Sequence, residues 1–174
     1  MVTCMQIMRP VNFICFTLVL ISVANAQIPR TTAGLFEYSG EFAADNTQRV
    51  MERARSFFNQ PFLVHWDSII QVQQSEATRF TGTGYITVRA KHHGLATPSP
   101  VPVSLQMIIE VKNGRYRYII NHFVVNEKEG TVHFGLENKP AVIKSIVYDQ
   151  LIQNTHKKMS FVIGWLRRYM KGEE

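Results

Sequence analysis

The feature that most constrains the fold is an Asn113-Gly114 pair between two long segments of alternating apolar and polar residues. Asn-Gly favours the positive φ angles of a two-residue type I′ turn, whose twist suits a pair of antiparallel strands. Such a turn also fixes the strand register. The predicted cross-strand pairs are Lys112 with Arg115, Val111 with Tyr116, Glu110 with Arg117, Ile109 with Tyr118, Met107 with Ile120 and Leu105 with His122. One face of the hairpin is therefore apolar, and pairing out of register would expose it to water.

Four further segments show the two-residue period of strands. They are Leu35–Phe42, Ser68–Gln74, Arg79–Ala90 and, as a short edge strand, Thr131–Leu136. Gly82 and Gly84 share the apolar side of the third segment, where missing side chains would let a crossing helix approach the backbone. The prolines and the Gly94 of the segment Lys91–Pro102 predict a loop before the hairpin.

Two segments show the three- and four-residue spacing of amphipathic helices. Asp45 begins the first as part of a capping box, and Pro61 helps to end it. The second covers Ala141–Met170. As one straight helix it would be about 45 Å long at 1.5 Å per residue, so we expect a bend or break near Asn154-Thr155. The order of elements is strand, helix, four or so strands, helix.

The first 26 residues have the layout of a secretory signal peptide. Arg9 precedes the apolar run Val11–Val23, and Ala24-Asn25-Ala26 places small residues where a signal peptidase reads them. The apolar run is shorter than the roughly 18–20 residues that span a bilayer, which disfavours a membrane anchor. We expect cleavage before Gln27, a tether over residues 27–33, a single domain over residues 34–170, and a periplasmic or secreted location.

Cleavage would remove Cys4 and Cys15, the two cysteines of the sequence, so the exported chain can form no disulfide. Its stability must then come from burial and backbone hydrogen bonds. The same absence excludes thiol nucleophiles, thiol redox chemistry and cysteine-based zinc sites.

Cleavage also removes Arg9 and lowers the formal net charge from +6 to +5. Most of the charges are scattered, which is typical of a solubilising surface. The densest cluster lies near the C-terminus and is a candidate for contact with an anionic membrane surface. The members of this cationic cluster are Lys157, Lys158, Arg167 and Arg168.

Three histidine-containing motifs are candidates for chemistry, and each favours a structural role. His92-His93 has no further ligand at metal-binding spacing, so no metal site is predicted. His65-Trp66-Asp67 could orient a histidine as a general base, but no nucleophile is marked and a loop packed by Trp66 is favoured. His122 is expected to be a core histidine. No catalytic residue and no cofactor site is predicted, and Gly82-Thr83-Gly84 lacks the lysine and helix start of a nucleotide loop.

Three segments together resemble the domain-of-unknown-function family DUF4468, which has a TBP-like fold. They are Arg53–Phe58, Gly82–Tyr85 and Ile109–Tyr118, and the resemblance covers about Phe36 to Val125. The resemblance implies an exported bacterial protein of the α+β class. The expected fold is a curved antiparallel sheet with helices packed on one face, in the order strand, helix, four or five strands, helix. The family brings no established activity or catalytic residues.

Concave TBP-like sheets can grip a DNA minor groove. Two observations argue against a nucleic-acid partner here. The leader directs the chain away from the chromosome, and the hairpin shows no row of basic residues interleaved with exposed aromatic residues.

We therefore expect an exported, non-enzymatic binding or interaction module of the bacterial cell envelope, with an envelope protein, peptide or glycan as its partner. The expected binding surface is the sheet face that the helices leave uncovered. Its outward-pointing residues are Tyr85, Arg89, Arg115 and Arg117. One alternative is a hydrolase of an envelope polymer or small ester, in which His65, Asp67 or His122 meets a hydroxyl in a pocket. Another is a peripheral membrane-surface protein that uses the cationic cluster.

Overall fold

The computed structural model describes residues 28–44, 46–60, 64–74, 77–90, 97–126 and 133–173. The predicted signal peptide and the His92-His93 motif lie outside the described residues. Within them the elements are β1 (Tyr38–Ala43), α1 (Thr47–Phe57), β2 (His65–Gln74), β3 (Ala77–Ala90), β4 (Ser99–Lys112), β5 (Arg115–Asn126), β6 (His133–Gly135) and α2 (Ser145–Lys171). The predicted order of strand, helix, strands and helix is confirmed.

The described strands form one curved antiparallel sheet in the order β1-β5-β4-β3-β2, with β6 paired to β5 on the same side as β1. Both helices pack on one face of this sheet, as the family resemblance implies. Residues ahead of β1 join the packing. Ile28 is buried and Arg30 forms a β-bridge with Phe36, so the packed chain begins before residue 34.

The Asn113-Gly114 turn forms as predicted, with positive φ angles of 46° and 71° at its two residues. All the predicted pairs from Lys112–Arg115 to Met107–Ile120 are present. The Gly114 N–H donates to Thr47 Oγ1 at 3.1 Å, and the Ala44 N–H donates to the Gly114 carbonyl at 2.7 Å. The hairpin turn is thus joined to the start of α1.

The last predicted pair, Leu105 with His122, is wrong because β5 contains a bulge. The register shifts between Ser104 and Gln106, and His122 has a φ of 56°. An extra residue in a strand reverses the direction of every side chain after it. His122 therefore points to solvent, while Phe123 and Val125 enter the core. The prediction of a core histidine at this position is wrong.

β2 begins earlier than predicted, so His65-Trp66-Asp67 belongs to a strand and not to a loop. A bulge at Asp67 lies between Trp66 and Ser68. The indole of Trp66 packs edge-to-face on Phe58 with ring centroids 4.8 Å apart. Packing by Trp66 was expected, and the aromatic contact holds this end of β2 against α1.

β4 begins at Ser99, inside the segment Lys91–Pro102 that was predicted to be a loop. Its first residues pair with β3, while pairing with β5 starts only at Val103. Proline lacks an N–H and is tolerated where a strand has a neighbour on one side only. Pro100 and Pro102 therefore fit a strand at this position.

The two glycines of β3 have different neighbours. A side chain at Gly82 would overlap Phe58 at the end of α1, as predicted for a crossing helix. A side chain at Gly84 would instead overlap the backbone carbonyl of His65. Gly84 thus permits the close approach of β2 and not of a helix.

α1 is the predicted amphipathic helix, and it buries Val50, Ala54 and Phe57. Asn46 is its N-cap, and the Asn46 Oδ1 accepts from the Arg49 N–H at 3.0 Å. The predicted cap, Asp45, lies outside the described residues.

α2 is one continuous helix of 27 residues, about 40 Å at 1.5 Å per residue. Of the bend or break predicted near Asn154-Thr155, the break is wrong. Asn154 Nδ2 donates to the Arg89 carbonyl at 2.6 Å, and Thr155 is fully buried. These contacts hold the middle of the helix against the sheet. It ends at Gly172, whose φ of 79° is the left-handed conformation of a helix cap. None of the described helices combines the length and apolarity needed to cross a bilayer.

Candidate functional site

The candidate site is the face of the sheet opposite the helices. Alternate residues of a strand point to opposite sides of a sheet, and those on one side are buried beneath α1 and α2. The other side, which we name the open face, has no described helix over it. Its residues include Ser39, Glu41, Ser68, Ile70, Val72, Arg79, Thr81, Thr83, Tyr85, Thr87, Arg89, Gln106, Ile108, Glu110, Lys112, Arg115, Arg117, Ile119 and Asn121.

One end of the open face carries a row of alternating charge. The strand register places Glu41, Arg117, Glu110 and Arg79 side by side on β1, β5, β4 and β3. Arg115 Nη1 donates to Glu41 Oε1 at 3.0 Å, an exposed ion pair that contributes about 0–1 kcal/mol. Among the described residues, the guanidinium of Arg117 has no hydrogen-bond or ion-pair partner. Arg117 is therefore available to an external anion.

With distance from the charged row, the side chains of the open face change from apolar to uncharged polar. Ser68 and Thr83 hydroxyls lie 2.6 Å apart across β2 and β3. The His65 ring stacks on Tyr85 with centroids 4.9 Å apart. Asn126 bonds both Ser104 on β4 and His133 on β6. We name this set the polar band; it comprises His65, Ser68, Thr83, Tyr85, Ser104, Gln106, Asn121, Asn126 and His133.

All four predicted binding residues lie on the open face, but they do not form one cluster. Arg115 and Arg117 share the charged end of β5. Tyr85 pairs with Ser104 of β4, whereas Arg117 pairs with Glu110 of the same strand. Six residues separate these two positions of β4, a distance of about 20 Å. Arg89 lies ten residues along, about 33 Å from that row. The open face thus offers two separate cationic areas with the polar band between them.

Two of the side chains proposed for hydrolysis, His65 and His122, are not brought together. His65 on β2 and His122 on β5 are separated by β3 and β4, a distance of about 14 Å at 4.8 Å per strand. A general base must reach its proton directly or through one water. The His122 Nδ1 instead bonds the neighbouring Asn121 Oδ1 at 2.7 Å. The described residues contain no group of three or more His, Cys, Asp or Glu side chains placed to hold a metal ion.

The members of the cationic cluster near the C-terminus lie on the two flanks and on the outer side of α2. Arg167 turns toward the sheet, with its guanidinium 4.7 Å from the centre of the Phe42 ring. Its Nη2 donates to the Tyr118 hydroxyl at 3.3 Å. Lys158 is half-buried. Arg167 thus makes contacts with the sheet while it remains exposed, and Lys158 is the less accessible of the two cations.

The other two cations of the cluster lie on the solvent side of α2. Lys157 and Arg168 are exposed, and Phe161 between them is 58% exposed. Their spacing places all three on one helix face, together with Gly164. We name these four residues the α2 ridge.

The fold and the open face together define an α+β protein of TBP-like fold, a curved antiparallel sheet with two helices on one face. No protein-family model and no curated protein matches the sequence. A TBP-like protein from Parabacteroides distasonis ATCC 8503 is similar in structure, with a TM-score of 0.56 at 13% identity, over 84% of this chain and 99% of that one. A DUF4468 family protein from Bacteroides ovatus ATCC 8483 is also similar, with a TM-score of 0.52 at 12% identity, over 82% of this chain and 91% of that one. These structures confirm the predicted fold and the resemblance to DUF4468 at the level of fold.

Sequence reasoning missed the polar band and the exposed Phe161. The band depends on how β2, β3, β4 and β5 are aligned, and only the β4–β5 alignment was readable from a turn. Phe161 had a usable signal. The buried positions Leu151, Thr155, Met159 and Leu166 define the face of α2 toward the sheet, and position 161 lies outside it.

Proposed function

We propose that the chain is an exported, non-enzymatic binding module of the bacterial cell envelope and that the open face is its binding surface. The observation that carries this proposal is an uncovered sheet face whose Arg117 and Arg89 guanidinium groups have no partner among the described residues. Guanidinium groups bind carboxylates and phosphates through two parallel hydrogen bonds. The partner is an envelope protein, peptide or glycan that carries anionic groups. The hydroxyls and amides of the polar band would add uncharged hydrogen bonds.

The first test measures binding of the purified protein to isolated envelope fractions by cosedimentation. Arg89→Gln and Arg117→Gln, combined in one variant, remove both charges without placing a new carboxylate beside Glu41 and Glu110. We expect about tenfold weaker binding, equivalent to about 1.4 kcal/mol. Arg49→Gln combined with Lys144→Gln is the matched control, because it also removes two positive charges, from exposed residues at the starts of the two helices.

Equal binding by the double variant and the control would contradict the open face as the binding surface. Export is tested separately by the N-terminal sequence of the protein recovered from the periplasm or medium, which we expect to begin at Gln27. Recovery of the uncleaved chain from the cytoplasm would contradict the location while leaving the binding result intact.

A second candidate function, attachment to an anionic membrane surface, is favoured by the α2 ridge. An exposed aromatic residue between two cations can enter the headgroup region while the cations bind lipid phosphates. Phe161 lies between Lys157 and Arg168 in this way, and the described residues of the ridge include no acidic side chain.

Sedimentation with phosphatidylglycerol vesicles tests this candidate. We expect binding that disappears at high salt, since the contacts are ionic and exposed. Phe161→Ser should weaken it, whereas Val142→Ser should not, because Val142 is an equally apolar, 74% exposed residue away from the ridge. Binding that is equal for phosphatidylcholine vesicles, or equal for both variants, would reject the ridge as a lipid contact.

A further inference from the structure

The edge strand β2 is open to further pairing over Ser68–Gln74, beyond the bulge and the charge at Asp67. Among the described residues it pairs with β3 alone, and it is ten residues long. Natural edge strands are commonly short, or carry lysine or proline that discourages a further strand. β2 contains neither, and Asp67 is its single charged residue. Ile69, Ile70 and Val72 are 44%, 59% and 44% exposed, so apolar side chains flank the open edge on both faces.

We infer that β2 pairs antiparallel with β2 of a second copy of this chain, so that the two sheets become continuous. The regular part of β2 runs from Ser68 to Gln74, beyond the bulge at Asp67, and its midpoint is Gln71. A two-fold axis at Gln71 gives a self-consistent register. The intermolecular pairs are Gln71 with Gln71, Ile70 with Val72, Ile69 with Gln73, and Ser68 with Gln74.

A second copy fits this edge because β2 is self-complementary in that register. Ile70 of each copy meets Val72 of the other on the open face, which forms two apolar cross-strand pairs. Asp67 lies outside the paired stretch, so no like charges meet within the ladder. A charged extended peptide would form no ion pair with the side chains of Ser68–Gln74. The observed composition thus favours the chain itself as the occupant.

The axis is perpendicular to the sheet, so both sets of helices lie on one side of the dimer and both open faces lie on the other. The dimer thereby doubles the open face, although the inference does not depend on what that face binds. Arg55 Nη2 donates to Gln71 Oε1 at 2.6 Å, which brings two guanidinium groups near each other across the axis. Salt screens this repulsion, so the dimer should become tighter as salt concentration rises.

Analytical ultracentrifugation of the purified protein tests the inference directly. We expect a concentration-dependent dimer that tightens with added salt, and Ile70→Lys should make the protein monomeric. Val142→Lys is the matched control, because it places the same charge on an exposed apolar residue away from β2 and should remain dimeric. A wild-type protein that stays monomeric at every soluble concentration would overturn the inference. Equal dissociation of both lysine variants would also overturn it.

Cysteine cross-linking tests the register in a background with Cys4→Ser and Cys15→Ser. Gln71→Cys places two directly opposed Cβ atoms about 4.5–5.5 Å apart at the axis, and a small local shift brings them to the roughly 3.5–4.5 Å of a disulfide. We expect it to form a covalent dimer under mild oxidation. Gln73→Cys should not, because its two copies lie about four residues apart along the ladder, roughly 13 Å. Equal cross-linking of the two variants, or none by Gln71→Cys, would overturn the proposed axis.

Discussion

At the residue scale, Gly84 determines how closely two strands approach. A Cβ atom added there would overlap the backbone carbonyl of His65 on β2. The neighbouring atom is backbone, and a bulge at Asp67 already fixes its position, so the strand cannot yield as a flexible side chain would. Gly164 of α2 is the opposite case, since a Cβ there meets no atom within 4 Å.

Gly84→Ala should therefore lower the free energy of unfolding by about 3 kcal/mol, the upper part of the usual range for overpacking. Gly164→Ala should raise it by up to about 1 kcal/mol, because alanine loses less backbone entropy in a helix. Urea unfolding followed by circular dichroism measures both changes. Wild-type stability in Gly84→Ala would contradict the close approach of β2 and β3 at this point.

At the scale of elements, the sequence predicted the features that depend on residues close together in the chain. The type I′ turn and the register next to it follow from Asn113-Gly114 alone. The bulge in β5 did not follow from simple extrapolation of the alternation. The buried residues change from even positions up to Ile120 to odd positions from Phe123 onward, but Ile119 and Val124 are also apolar and obscure this change in the sequence. Such a change of phase within one strand indicates an inserted residue.

The continuous α2 helix and the start of β4 depended on contacts between distant segments. The hydrogen bond from Asn154 to the Arg89 carbonyl joins residues 65 positions apart in the chain. No local pattern reveals that bond. The same holds for the site. The outward direction of Arg117 followed from the hairpin, but its distance from Tyr85 depends on how β3 pairs with β4. That distance is about 20 Å, or about six residues along a strand.

Thr155 provides a test of how α2 is held against the sheet. It is fully buried, and its Oγ1 has no hydrogen-bond partner among the described residues. An unsatisfied buried hydroxyl costs about 1–3 kcal/mol. Thr155→Val replaces the hydroxyl with a methyl group of similar shape and should raise the free energy of unfolding by about 1 kcal/mol.

Thr155→Ser is the matched control, because it keeps the hydroxyl and removes the methyl group. It should lower the free energy of unfolding by about 1 kcal/mol through the lost apolar burial. Thermal and urea unfolding of the two variants give the comparison. If valine destabilised the protein as much as serine does, the hydroxyl would have to be satisfied and the packing around Thr155 would differ from that described.

At the scale of the whole molecule, two buried phenols, of Tyr38 and Tyr116, and the half-buried phenol of Tyr148 connect ionisation to global stability. Burial raises the pKa of Tyr38, Tyr116 and Tyr148 above the usual value of 10.0. The positive charge of Arg167 partly offsets this rise for Tyr116, and Arg30 does so for Tyr148. The Tyr38 hydroxyl lies 2.9 Å from His156 Nδ1 on α2, so its ionisation would act on the contact between β1 and that helix.

The protein should therefore lose stability in alkali. Below pH 10 the phenols are protonated in both the folded and the unfolded chain, and their contribution is fully present. Above that pH the unfolded chain releases its phenolic protons first, so the free energy of unfolding falls as pH rises. Each buried phenol adds a slope of up to about 1.4 kcal/mol per pH unit.

Tyr38→Phe should reduce that slope by about 0.7 kcal/mol per pH unit on average between about pH 9 and pH 11, where the unfolded phenol passes from protonated to ionised, as measured by urea unfolding. The substitution also removes the hydrogen bond to His156. His156→Ala separates the two effects, because it removes the same hydrogen bond and leaves the phenol in place. We expect His156→Ala to shift the stability curve downward with its alkaline slope unchanged. A Tyr38→Phe protein with the full wild-type slope would show that Tyr38 ionises in the folded state as readily as in the unfolded one.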